Sequence, residues 1–404
     1  MPDALLIEGC DFQSYPTGGQ LSFTRQMMQV FGPRLALVGI CTDSTPVGKW
    51  VTKTFDGREY SFFAIGRHTV TTRKPFIPAR LYEYLEVKKH KKQILSLGIK
   101  SAFIQAPQIL LAVHKWGWDS LCYMFAGVEN PLKISRYEWA KLFAGPFEKS
   151  LFSALENVDV ILACADTKSI DDLIKRSGGL LSHNRIKQFF TRVDTTFFKP
   201  IPKNRAKTAL GIDCNGPIVV TCGRINKFKG LDLVLEAFRI FLNYYPNARL
   251  YFVGDGEEQS RLQCAINNYN IAGSVTITGI QTPHRIAAYL NVADLYVVGS
   301  LKEGWSLAML EALACGKPIV STDVSGARDM IIEGENGFVI ETRDPFEFAD
   351  AMTKALTLKQ AQQVSLSLVK KYALKNLAKD IAANWKPLAN SGEYTRCVQQ
   401  DSLK

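Results

Sequence analysis

The chain has 404 residues, 47% of them hydrophobic and 22% charged, and a formal net charge of +11. That length exceeds a single hydrophobic core and points to two or three domains, and the composition excludes a disordered or fibrous chain. No apolar run approaches the ~20 residues needed to cross a bilayer. Nine cysteines without a C-x-x-C pair argue against a zinc or disulfide framework and for reduced core thiols in a cytoplasmic protein.

From the start, Met1 to Cys10 carries an acidic residue and runs straight into a strand pattern, unlike a signal peptide. Apolar runs predict strands at 4–7, 35–41, 60–65, 102–105, 121–125 and 158–163. Helical spacing marks 21–30, 81–97 and 138–157 between them. Strands alternating with helices imply a parallel sheet covered on both faces. Ahead of the first helix stands Tyr15-Pro-Thr-Gly18-Gly19-Gln20. Paired glycines there permit a phosphate to approach the backbone, although such pairs are more often simple turns. Residues 67–100 hold Arg67, Arg73, Lys74, Arg80, Lys88, Lys89, Lys91, Lys92 and Lys100 against Glu83 and Glu86. This patch suits an anionic membrane surface, and a solvated helix face explains it equally well. No nucleic-acid-binding motif accompanies it, so nucleic acid is not an expected partner.

The Pro- and Lys-rich stretch 199–210 reads as an interdomain linker. A second alternating series follows, with strands at 217–222, 249–253, 275–278, 295–298 and 318–321. Helices are expected at 231–242, 257–268 and 283–290, then at 346–355 and 361–388, and the last residues from 390 look frayed.

Successive strand ends of this second series carry an unusual set of residues. The first leads into Gly223-Arg224-Ile-Asn-Lys-Phe-Lys229-Gly230, the second into Gly254-Asp255-Gly256, the third into Gly279-Ile280. The fourth leads into Glu303-Gly304-Trp305-Ser306-Leu307, where Ser306 is an N-cap for a helix over 307–314 that Gly316 and Pro318 stop. Glu303 and Glu311 flank the helix start. In an open parallel sheet, loops at strand carboxyl ends hold ligands, and a helix N-terminus with two cations suits a diphosphate.

Those motifs, in their order and spacing, resemble family 4 of the retaining glycosyltransferases. The matching pieces are Gly18-Gly19, Val193-Asp194-Thr195 with Phe198-Lys-Pro200, Gly223-Arg224 with Lys229-Gly230, Gly254, and the E-x7-E of Glu303 and Glu311. Gly316-Lys-Pro318, Ser325-Gly326 and Asn336-Gly337 follow, so the resemblance covers most of residues 193–351 and little before them. It implies an α/β protein of GT-B fold, two Rossmann-like doubly wound parallel-sheet domains facing across a cleft. The acceptor domain would be 1–198, with about 378–404 packing back on it, then the linker 199–210, then the donor domain 211–377.

The resemblance implies a retaining, metal-independent hexosyl transfer from a nucleotide-diphosphate sugar to a glycan or glycolipid acceptor, with no cofactor beyond the donor. Arg224 and Lys229 would hold the diphosphate, and Glu303 the transferred sugar. Gly18 and Gly19 would line the donor, as would Gly304, Trp305, Ser306 and Leu307. Glu311 would take the ribose, and Gly254 and Ile280 would bracket the base. Family members commonly carry a histidine where this chain has Ala126, which leaves Glu129 and Gln105 as acceptor-side candidates. The implied location is the cytoplasm, peripheral at the inner membrane face. Alternatives on the same architecture are a phosphorylase, a sugar-nucleotide epimerase or a catalytically degenerate carbohydrate-binding scaffold.

Overall fold

The computed structural model describes residues 1–16, 18–69, 76–133, 135 and 137–389. Strand runs such as Leu35–Cys41, buried along their whole length, can lie only in the middle of a sheet covered on both faces. The chain forms two such sheets in two compact units, residues 1–190 with those from 375 onward, and residues 191–374.

The first unit holds β1 (Ala4–Ile7), β2 (Leu35–Cys41), β3 (Trp50–Phe55), β4 (Arg58–Arg67), β5 (Ser101–Ile104), β6 (Ser120–Phe125), β7 (Val160–Ala163) and β8 (Ile186–Gln188). Their order is β3-β4-β2-β1-β5-β6-β7-β8, parallel except for the β3–β4 hairpin. Asp56 and Gly57, both at positive φ, make its two-residue turn, a D-G signal the strand reading overlooked. Ile7 pairs with Val38 on one side and with Ile104 on the other.

The second unit holds β9 (Ile218–Cys222), β10 (Arg249–Val253), β11 (Val275–Ile277), β12 (Leu295–Val298), β13 (Ile319–Thr322) and β14 (Gly337–Ile340). Their order is β11-β10-β9-β12-β13-β14, and every pairing is parallel. Its core joins Val219, Leu250, Leu295 and Val320 to Val234, Phe238 and Phe348 of the covering helices.

Several expected elements differ. Residues 199–210 contain the helix Lys203–Leu210, which buries Ala206 within the second unit. Asn291 fastens the chain ahead of it, accepting the Ile201 N–H at 2.8 Å and donating to the Lys199 carbonyl at 3.0 Å. The stretch expected as one helix over 81–97 is Ala79–Lys89 followed by shorter turns beyond His90. That over 138–157 divides into Glu138–Lys141 and Ala144–Leu155, because Pro146 lacks an N–H and fits only a first turn. The run 361–388 is also broken. Its final helix, Leu377–Asn384, packs within the first unit, and Trp385 Nε1 beyond it donates to Ser120 Oγ at 2.9 Å.

Eight cysteines lie among the described residues, seven of them buried and Cys264 exposed. Arg73, Lys74, Cys397 and the tail from 390 lie outside the described residues. No described helix is long and apolar enough to cross a membrane.

Candidate active site

Strand order decides where each unit can hold a ligand. In the second unit β9 lies between β10 and β12, so the loops leaving β9 and β12 diverge and open a crevice at the strand carboxyl ends. The β9 loop carries Gly223 to Gly230, and the β12 loop carries Gly299 to Ser306. They meet at Lys229 and Glu303, whose Nζ and Oε1 are 2.6 Å apart. Ser300 Oγ donates to the same carboxylate oxygen, also at 2.6 Å. Both charged groups are partly shielded from solvent, which strengthens their attraction over that of an exposed pair.

Arg224 is placed differently. It is exposed and donates from Nε to Glu257 Oε2 at 3.0 Å, so the two cations of the loop have separate carboxylate partners. Arg343 is a site residue that motif reading missed. Its Nη1 donates to the Gly299 carbonyl at 3.1 Å and braces the β12 loop.

The glycines of these loops serve chiefly to let backbone pack on backbone. A Cβ on Gly254 would stand 2.0 Å from the Gly223 carbonyl oxygen, and one on Gly230 would stand 1.8 Å from that of Gly299. Close approach of neighbouring backbone therefore requires glycine at 254 and 230. Gly18 and Gly19 of the first unit are another matter: both are exposed, and an added Cβ would meet nothing within 4 Å.

The helix Leu307–Ala314 begins as its sequence dictates, with Ser306 Oγ accepting the Met309 N–H at 3.4 Å. The N–H groups of Leu307 and Ala308, in its first turn, have no intrahelical acceptor. Glu311, in the second turn, is half-buried, and burial pushes its carboxyl up to about 8. No ion pair or side-chain hydrogen bond to it occurs among the described residues. Glu303 lies in the β12 loop and Glu311 in the helix that follows it, both on the chain that leaves the carboxyl end of β12. Trp305 is buried with its ring against Gly326 and 5.7 Å from that of Tyr372, so its backbone alone faces the loop's open side. Gly304 and Leu307 are half-buried. Ile280 is 81% exposed, next to Gly279, which bridges to Gly254.

In the first unit the corresponding crevice lies between β1 and β5, because β2 flanks β1 on its other side. Gln105, at the end of β5, is buried there, and its N–H donates to Glu8 Oε1 at 2.6 Å. Glu8 is the first residue after β1, and no motif flags it. Ala126 and Glu129 are both exposed beyond β6. Among the described residues no cluster of His, Cys, Asp and Glu is placed to hold a metal ion.

Two Rossmann-like parallel-sheet units, each with a loaded crevice at its strand ends, define a GT-B protein. Residues 202–367, most of the second unit, match the family of glycosyl transferases group 1. Among curated proteins, the D-inositol 3-phosphate glycosyltransferase of Acidothermus cellulolyticus is 30% identical over 182 residues, 43% of this chain and 41% of that protein. The D-inositol 3-phosphate glycosyltransferase of Corynebacterium jeikeium is 27% identical over 210 residues, 50% of this chain and 49% of that protein. The chain thus spans about half the length of the curated relatives it matches, or less. Among solved structures, sucrose-phosphate synthase from Thermosynechococcus elongatus shares the fold with a TM-score of 0.77 and 17% identity, over 94% of this chain and 97% of that one. Anabaena HepE, solved in complex with UDP, does so with a TM-score of 0.70 and 16% identity, over 95% and 99%.

Proposed function

We propose that the chain is a retaining glycosyltransferase that moves a hexosyl group from a nucleotide-diphosphate sugar to a hydroxyl of a glycan or glycolipid. The observation that carries this reading is the Lys229–Glu303 contact at the β9–β12 crevice, beside a helix start with open N–H groups. Lys229 and Arg224 hold the diphosphate, and the N–H groups of Leu307 and Ala308 add donors to it. Glu303, oriented by Ser300, takes hydroxyls of the transferred sugar. Glu311 accepts from the ribose, for which a half-buried carboxyl without a partner is suited. Exposed Ile280 and the Gly254 loop bracket the base.

In the transfer, the bond from the anomeric carbon to the phosphate oxygen breaks, and its electron pair leaves with the diphosphate. Lys229, Arg224 and the helix start stabilise that developing charge where it appears. A carboxylate near the sugar favours the oxocarbenium-like state, and the acceptor oxygen enters from the same face as its proton passes to the departing phosphate oxygen, which retains the configuration. With cations and the helix start neutralising the diphosphate, the reaction needs no divalent metal and persists in EDTA. D-inositol 3-phosphate, named for a relative, supports only the broader class of polyhydroxylated acceptors.

A panel of nucleoside diphosphates and their sugars tests the reading by thermal shift and by nucleoside diphosphate release. A matched donor at about 100 times its Kd adds ~2.7 kcal/mol of stability. If no member of the panel stabilises the protein and none is hydrolysed, the chain is a scaffold on a transferase fold.

A further inference from the structure

Glu8 is 1% exposed, and its carboxyl group ties together three elements of the first unit. Oε1 accepts the Gln105 backbone N–H at the end of β5 at 2.6 Å. Oε2 accepts from Gln20 Nε2, in the first turn of the helix Gly19–Phe31, at 2.9 Å. Gln105 Nε2 donates to Thr24 Oγ1 at 3.1 Å, and Thr24 Oγ1 donates to the Gln20 carbonyl at 2.9 Å, which closes the ring.

Gln20 differs from the rest of this ring because it is exposed. With one N–H of its amide committed inward to Glu8, the amide oxygen is left to face outward. That oxygen has no hydrogen-bond partner among the described residues. The ground beside it is open, since Gly18 and Gly19 carry no side chain and a Cβ on either would meet nothing within 4 Å. Residues 11–15 after β1 are held by one carboxylate. Asp11 Oδ1 accepts the N–H groups of Gln13, Ser14 and Tyr15 at 2.9, 2.7 and 2.8 Å, and its Oδ2 accepts from Thr42 Oγ1 at 3.0 Å. A fixed polar tip thus stands at the point of the sheet where open α/β folds hold their ligands.

Protonation of Glu8 does not undo this arrangement. Burial raises its carboxyl to about 8. The protonated carboxyl still accepts from Gln20 through Oε2.

We propose that Gln20 binds the acceptor substrate, its outward carbonyl oxygen receiving a hydroxyl of a neutral polyhydroxylated molecule, with Glu8 as the positioning residue that holds the amide in that sense. A carbonyl accepts from O–H and offers nothing to a phosphate, so a phosphorylated acceptor is disfavoured at this position. The word acceptor rests on the transferase reading above, and the contact itself is measurable without turnover.

The test is saturation-transfer NMR on the full chain, with glucose, galactose and myo-inositol each set against its monophosphate. The wild-type protein is expected to bind at least one neutral probe in preference to its phosphate. Gln20→Ala should weaken that probe about 5- to 10-fold, the loss of one hydrogen bond, in a protein that still melts cooperatively, though at a lower temperature because Glu8 Oε2 loses its donor. Glu8→Gln places its own NH2 toward Gln20, turns the Gln20 amide over and presents nitrogen to solvent. The preference should then move toward the monophosphate. A purely structural Glu8 would weaken both probes alike and leave their ratio unchanged, and that result overturns its positioning role. Binding of no neutral probe, wild-type preference for the phosphates, or an unaltered Gln20→Ala overturns the site. Donor hydrolysis keeps the two readings apart: a protein that hydrolyses donor yet ignores Gln20→Ala loses only this inference. One that hydrolyses nothing but shows the shifts loses only the transferase reading.

Discussion

Lys229 Nζ and Glu303 Oε1 stand 2.6 Å apart across the gap where the loops of β9 and β12 diverge. Each thereby balances the charge of the other. A diphosphate entering the crevice would compete for Lys229, and Ser300 would keep Glu303 in place while the cation turned to the phosphate.

Lys229→Ala should therefore lower kcat/KM by on the order of 10²-fold or more, because it removes stabilisation of the leaving group. Steady-state kinetics with the donor found in the panel measures this. Turnover near that of the wild-type protein would remove Lys229 from the phosphate site.

Two glycines should tolerate no side chain. Gly254→Ala and Gly230→Ala would each drive a methyl to within 2.0 Å of a neighbouring backbone oxygen, at positive φ in both cases. A cost of ~2 kcal/mol or more is expected for each. Gly273→Ala, where nothing lies within 4 Å, serves as the control and should change stability by less than ~0.5 kcal/mol. Urea denaturation of the three variants decides the point, and equal behaviour of all three would refute the backbone-packing account.

Stability should fall as pH rises from about 4.5 to about 8. Burial holds the Glu8 and Glu311 carboxyls at about 8 and that of Glu83 at about 7. In that window the folded protein binds more protons than the unfolded chain, so raising the pH favours unfolding, and the dependence from these groups ends above about 8. Melting curves across pH 5 to 9 should show the decline, and Glu311→Gln should flatten part of it. A Glu311→Gln curve parallel to wild type would mean that the carboxyl is solvated and ionised in the fold.

Weak, salt-sensitive binding to anionic vesicles is expected. Phe76, Ile77, Leu81 and Leu85 are exposed along the start of the helix Ala79–Lys89, and Lys88, Lys89 and Lys92 follow. Each cation near an anionic surface contributes ~1 kcal/mol, screened within about a Debye length. Vesicle flotation at low and high salt, with Leu81→Ser and Leu85→Ser combined, measures both contributions. Indifference to anionic vesicles at low salt would leave the patch a solvated face.

What the chain alone determined lies within a turn or a strand of each residue. The apolar run at 35–41 specified a buried strand, and Ser306 with Gly316 and Pro318 specified the helix Leu307–Ala314, because caps, breakers and periodicity act between near neighbours. The strand-end residues of the second unit were legible for the same reason, as each loop carries its own glycines and charges. Tertiary structure alone decided which of those charges meet. Glu303 takes Lys229 from 74 positions away while Arg224, in the same loop as Lys229, turns to Glu257. The edge strands β8 and β14, of three and four residues, are too short for a strong pattern and likewise depended on a neighbour to pair with. Glu8 shows the limit most plainly. Its partner Gln105 lies 97 residues on, and only the placing of β5 beside β1 buries that carboxyl and turns it from an ordinary surface acid into the support of an exposed amide.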